Sequence, residues 1–203
     1  MKDAVLKTWF AKSIFEVGNF LPTNEFNKVT SAVQVEIQKG SNRTGMLNVD
    51  STHSTNNFVF NKEFDYLRKN IFEAVKSYAQ ALGYTEDQRN RLKFIHMWAN
   101  ESSKGDFNFP HNHAGSLFSG AFYVKAPTDS KITFYDNFND MTVEPDEPTH
   151  LSHSYTRYNC VENSLLIFKS DLLHGNEKQE DGTKIVISFN IAIDPPVGKY
   201  YNE

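Results

Sequence analysis

The ten residues Lys184–Ile193, KIVISFNIAI, constrain the fold more than any other stretch. At the two-residue period of a strand, Ile185, Ile187, Phe189, Ile191 and Ile193 share one face, while Lys184, Val186, Ser188 and Asn190 share the other. A wholly apolar face must be covered by another layer. A mixed face with an amine, a hydroxyl and an amide suits the lining of a cavity.

The C-terminal half repeats that period. From residue 93 onward, short β-type runs separated by Gly, Pro, Asn and Asp clusters fall at about 93–100, 117–125, 131–136, 142–144, 151–160, 164–168 and 184–193. The N-terminal half reads differently. Residues 6–22, with Trp9, Phe10, Ile14, Phe15, Val17 and Phe20, form a strand or extended segment expected on the outside of the domain. Phe26, Val29, Val33 and Ile37 recur at three and four residues, which predicts a helix with Thr23 or Asn24 as N-cap and Gly40 just past its end. Phe64, Leu67, Ile71, Val75, Tyr78 and Leu82 form the stripe of a second helix stopped by Gly83. Residues 41–57 and the run TEDQRNR read as a polar loop and a polar link.

This order predicts an α+β, mainly β fold: a barrel or sandwich of the jelly-roll or cupin type, with the N-terminal helices packed on one sheet. At 203 residues the chain reads as one domain, 1–203, with a strand and helices over 1–92, a β-barrel core over 93–193 and a tail over 194–203. Seventeen Phe and nine Tyr predict an aromatic-rich core. The net charge of −4, without a Lys/Arg block, gives no pull toward nucleic acid or anionic lipid. Cys160 is the single cysteine, which excludes an internal disulfide framework and a cysteine-based zinc finger. No run approaches the ~20 apolar residues of a membrane span. Lys2, Asp3, Lys7 and Lys12 break the N-terminal run in a way unlike a signal peptide, so a cytoplasmic protein is expected.

The chemistry gathers at four positions. His111 and His113 are two residues apart, so in an extended backbone both rings leave the same side, and Pro110 stiffens the entry to the pair. His174 lies on the turn after LLIFKSDLL. Imidazole is the commonest ligand for zinc, copper, iron and nickel, and three from facing strands leave one hemisphere of a metal open. Lys184, ten residues after His174, would point its ammonium into a barrel cavity and need an anion there. Asp136 is an alternative acidic ligand to His113. His96 shares a face with Phe94, Trp98 and Asn100, where it lines the cavity or packs in the core; Trp98 reads as core, and His53, His150 and His153 as solvated.

With these residues in place, the sequence resembles the 2-oxoglutarate/Fe(II)-dependent oxygenases, in particular uncharacterised members from bacteria and phages, and more distantly the prolyl hydroxylases. WANESSKGDFNFPHNH, SGAFYV, ITFYDN, LLIFKSDLLHGNEK and KIVISFN carry the likeness, in that order, across residues 93–193. The resemblance implies a double-stranded β-helix with an iron site at its mouth. It implies Fe(II) and 2-oxoglutarate as cofactors, dioxygen as co-substrate, and hydroxylation of a C–H bond in a protein, peptide or small molecule. His111 matches the family's first histidine and His174 its distal one. Lys184 matches the basic residue that pairs with the far carboxylate of 2-oxoglutarate, and Tyr123 the tyrosine near it. Asn100, Ser188 and Asn190 fall where co-substrate contacts are expected. Most members carry H-x-D or H-x-E where this chain has His113.

Two other functions stay open in the sequence. One is a cupin-like three-histidine metal protein that does not use 2-oxoglutarate, for which Lys184 has no role. The other is a non-catalytic barrel acting as a binding module. Residues 41–57 and 137–150 are the expected pocket rims, mildly acidic and so better suited to a neutral or basic peptide, and the apolar N-terminal segment could serve a homodimer.

Overall fold

The computed structural model describes residues 5, 11–44, 49–51, 53, 57–136, 145–147, 149 and 151–194. Trp9, Phe10, His150, the expected strand at 142–144 and most of the two expected pocket rims lie outside the described residues. In chain order the elements are β1 (Ile14–Val17), α1 (Thr23–Lys39), β2 (Asn42–Thr44), β3 (Val49–Ser51), α2 (Asp65–Ala81), α3 (Glu86–Asn90) and β4 (Leu92–Ser102). There follow β5 (Asn108–His111), β6 (Phe118–Lys125), β7 (Lys131–Tyr135), β8 (Tyr155–Asn159), β9 (Leu165–Lys169), β10 (His174–Asn176) and β11 (Lys184–Ile193).

Two antiparallel sheets face each other. The larger has seven strands in the order β1-β9-β6-β11-β4-β3-β2, and the smaller has four in the order β5-β10-β7-β8. Strand β11 sits centrally, paired along its length with β4 on one side and β6 on the other. Its alternation divides the core. Ile185, Ile187, Phe189 and Ile191 face a layer that includes Val29 and Val33 of α1 and Leu67, Ile71, Val75 and Tyr78 of α2. Val186 joins Ala121, Tyr123, Ile132, Phe134, Leu166 and Phe168 between the two sheets. The helix-facing layer is aromatic, with Tyr78 against Phe118 at 5.4 Å and Phe94 against Phe189 at 5.9 Å between ring centroids.

The local structure departs from the sequence expectations at several short elements. Thr23 is the first residue of α1 rather than its cap; Pro22 precedes it, and no side chain caps this end. The run TEDQRNR is no link but contains α3, started by a capping box in which the Thr85 hydroxyl and the Gln88 side chain each bond the other's backbone N–H. The polar stretch 41–57 contains two short strands, β2 at the edge of the large sheet and β3 between it and β4, with Ser51 of β3 opposite Asn100 of β4. The strand expected over 151–160 begins at Tyr155. Strands β5 and β10, of four and three residues, are too short to show a period in the sequence. Residues 14–17 join the edge of the large sheet through β9. No helix among the described residues is long and apolar enough to cross a membrane.

Gly120 marks the tightest point. A Cβ there would fall onto the Phe189 ring and the Leu166 carbonyl oxygen, whereas one at Gly18 would meet nothing within 4 Å. Gly120→Ala should therefore lower the unfolding free energy by about 1–3 kcal/mol through overpacking. Gly18→Ala should stay within about 0.5 kcal/mol of wild type. Urea unfolding of the two variants checks the contrast.

Candidate metal centre

The centre forms where the small sheet meets the end of β11. His111 closes β5, His174 opens β10, and the antiparallel register sets them opposite each other. Their ring centroids lie 4.5 Å apart. His113 lies beyond the end of β5, so strand alternation does not aim it. Its backbone N–H donates instead to the Ser170 carbonyl at 2.9 Å, and the Ser116 N–H donates to its own carbonyl at 3.2 Å. That turn brings the His113 ring to 5.2 Å from His111 and 5.1 Å from His174. One nitrogen from each of the three rings lies within 4.8 Å of the others, close enough to hold one metal ion.

Two of the rings have their tautomer set by backbone. His111 Nδ1–H donates to the Phe109 carbonyl at 2.7 Å and His174 Nδ1–H to the Leu172 carbonyl at 2.9 Å, which leaves both Nε2 lone pairs for a ligand. Burial, with the nearby His111 and His53, lowers His113 to about 4. Burial, aided by His111 and opposed by the Leu172 carbonyl, lowers His174 to about 3. Both rings are neutral at physiological pH, the form that ligates.

Asp136 does not join them. Its carboxylate pairs with Lys12 at 2.6 Å and is 39% exposed, so the acidic alternative to His113 is not brought to the centre. His153 is exposed. His53, expected in solvent, is exposed but packs at 4.3 Å against His96 and 4.8 Å against Trp98. Trp98 in turn lies 5.8 Å from His113, so this aromatic group forms a wall beside the centre rather than part of either apolar cluster.

The other expected residues lie on strands β4, β6 and β11 of the large sheet. Lys184 starts β11 at 2% exposure and makes no ion pair with any described residue. Burial pushes its ammonium down, with Cys160 acting in the opposite sense. Tyr123 is buried and hydrogen-bonded to Cys160, and burial raises its phenol further. Asn100 Nδ2 lies 3.4 Å from Ser188 Oγ, while Asn100 Oδ1 and Trp98 Nε1 are buried with no hydrogen-bond partner among the described residues. Asn190 turns toward His113, at 3.4 Å from its Nδ1. Sequence reasoning missed Cys160, Ser119 and Ser170. A small hydroxyl at an inward position of an apolar strand, as Ser119 is in FSGAFYV, was the available signal.

Because His113 and His174 titrate near 6.5 when unfolded, the unfolded chain binds more protons than the folded one between that value and about 4. The metal-depleted protein should thus lose stability as pH falls from 7 to 4. The urea midpoint followed over that range checks this, and the slope should flatten in His113→Asn/His174→Asn.

Residues 96–190 match the family model described as "Putative 2OG-Fe(II) oxygenase". No curated protein sequence matches the chain. Among solved structures, the chain is similar to the non-haem α-ketoglutarate-dependent epimerase SnoN from nogalamycin biosynthesis, with a TM-score of 0.68 and 12% identity over 90% of this chain and 77% of that one. A Pseudomonas putida prolyl-4-hydroxylase matches with a TM-score of 0.64 and 9% identity, over 90% and 93%. HygX from Streptomyces hygroscopicus, solved with nickel, 2-oxoglutarate and hygromycin B, matches with a TM-score of 0.64 and 10% identity, over 90% and 84%. At such identities these likenesses are of fold: two facing sheets of the double-stranded β-helix. The three-histidine centre is consistent with Fe(II) and 2-oxoglutarate. The matched segment, 96–190, is thus similar to the 2-oxoglutarate/Fe(II)-dependent oxygenases, and the chain shares the fold of the solved structures.

Proposed function

We propose that the chain hydroxylates a C–H bond of a peptide or small molecule, with His111, His113 and His174 as the ligands of Fe(II) and Lys184 as the clamp on 2-oxoglutarate. One observation carries this reading. Three imidazole nitrogens converge within 4.8 Å, and the inward face of β11 carries a buried ammonium that forms no ion pair with any described residue. A cation buried without a counter-ion is costly, and a dicarboxylate removes that cost while its other end reaches toward the metal. A metal protein without an anionic co-substrate has no such use for Lys184.

The other residues fit the same occupant. Tyr123 and Cys160 close the inner end beside Lys184 and keep it dry. Turning the Asn100 amide over would let the Ser188 hydroxyl donate to Oδ1 and aim the NH₂ into the space, where an acceptor-only anion suits it. Trp98 Nε1 supplies a further donor. Bound together, Fe(II) and 2-oxoglutarate supply the reduction of dioxygen, coupled to decarboxylation of the co-substrate. The protein orients the two and shields them.

Substrate approaches past the His53, His96 and Trp98 wall. A peptide is the preferred class, on the likeness to prolyl hydroxylases and on the mildly acidic residues 137–150. A compact polar ring compound, as in the hygromycin B complex of HygX, is the second.

Anaerobic titration with Fe(II) and then 2-oxoglutarate tests the reading by visible absorption. A charge-transfer band requiring both additions is expected, and it should be absent in His174→Ala. Lys184→Ala should need at least about tenfold more 2-oxoglutarate, since a bond to a charged group is worth roughly 1.5–3 kcal/mol. Tight Fe(II) binding with no band would instead support a three-histidine centre that does not use 2-oxoglutarate. No metal uptake would leave a non-catalytic barrel.

A further inference from the structure

His113, the ligand that replaces the usual acidic residue, raises a requirement the acid does not have. A carboxylate offers lone pairs whichever way it turns, but an imidazole ligates through Nε2 only when its proton sits on Nδ1. For His111 and His174 a backbone carbonyl, which can only accept, holds that proton in place. His113 Nδ1 has instead the side-chain amide of Asn190, which can either donate or accept.

The amide is held from behind. Its Oδ1 accepts from Ser119 Oγ at 2.8 Å, and Ser119 Oγ lies 2.7 Å from Ser170 Oγ. Both serines are 1% exposed and Asn190 is 8% exposed. In this arrangement the Asn190 NH₂ donates to His113 Nδ1, so the His113 proton is on Nε2, where it points at the bare Nε2 of His174 3.3 Å away. That hydrogen bond uses the two nitrogens a metal would need.

We propose that Asn190 is a positioning residue that switches His113 between two tautomers. Half a turn of the amide brings Oδ1 to Nδ1–H and frees Nε2 to ligate. The amide NH₂ then donates to Ser119, whose hydroxyl turns to Ser170. One proton leaves Nε2 and one arrives at Nδ1, exchanged through solvent at the mouth, so the ring stays neutral. Hydroxyls suit the two positions behind the amide because each can reverse between donor and acceptor. This inference rests on the three-histidine reading of the centre.

Co(II) titration of the full chain, followed by its d–d absorption, separates the two. Asn190→Ala should weaken Co(II) about 10- to 100-fold, the usual effect of losing the group behind a ligating imidazole. Asn190→Asp, which only accepts, should bind Co(II) at least as tightly as wild type. In a His113→Ala background, Asn190→Ala should cost nothing further. Wild-type affinity in a folded Asn190→Ala, an equal loss in the His113→Ala background, or weaker binding by Asn190→Asp would each overturn the switch. Should Asn190→Ala not fold, Asn190→Asp against wild type decides alone. A wild type that takes up no Co(II) overturns the metal reading, and the switch with it.

Discussion

Strand β11 works because its two faces answer to different neighbours. Its isoleucines and Phe189 are sealed by the helices, and this fixes the register with β4 and β6. A slip by one residue would turn Lys184 and Asn190 into the helix layer and the isoleucines into the cavity. With that slip forbidden, the cavity face is determined in order from the inside outward: an ammonium at Lys184, a methyl surface at Val186, a hydroxyl at Ser188 and an amide at Asn190. The chemistry of the site is thus set by the same burial that stabilises the sheet.

The small sheet adds the metal side. Pairing of β10 with β5 places His174 against His111, and the backbone carbonyls of Phe109 and Leu172 fix their protons. These positions need little from side chains beyond the histidines themselves. The third position is less secured. His113 follows the strand, is aimed by backbone bonds with Ser170 and Ser116, and leans on an amide whose orientation is not dictated by the backbone. On the proposed ligand set, a site that substitutes imidazole for carboxylate transfers the burden of orientation to residues behind it, and the residues behind His113 are Asn190, Ser119 and Ser170.

Much of the architecture was legible in the sequence. The 3.6-residue stripe over Leu67, Ile71, Val75 and Tyr78 and the alternation over Lys184–Ile193 each span enough turns or residues to show a period, and both elements form where the periods place them. Strands β5 and β10 are too short to show one, although they carry two of the three histidines. Spacing alone brought His111 and His113 together for the wrong reason, since a turn rather than strand alternation returns the second ring. Asp136 could not be judged from its type, because its distance from the centre follows from sheet pairing and its partner Lys12 lies 124 residues away in sequence. The serines behind Asn190 were invisible for a similar reason: Ser119, Ser170 and Asn190 meet only when β6, the turn after β9 and β11 are assembled.

X-ray absorption at the iron edge of the Fe(II)-loaded protein, before and after 2-oxoglutarate, bears most directly on a three-imidazole centre with a chelated co-substrate. The account predicts the scattering of three imidazole rings in both states, with solvent oxygens exchanged for co-substrate oxygens on addition. Two rings or fewer, or a spectrum unchanged by 2-oxoglutarate, would contradict it.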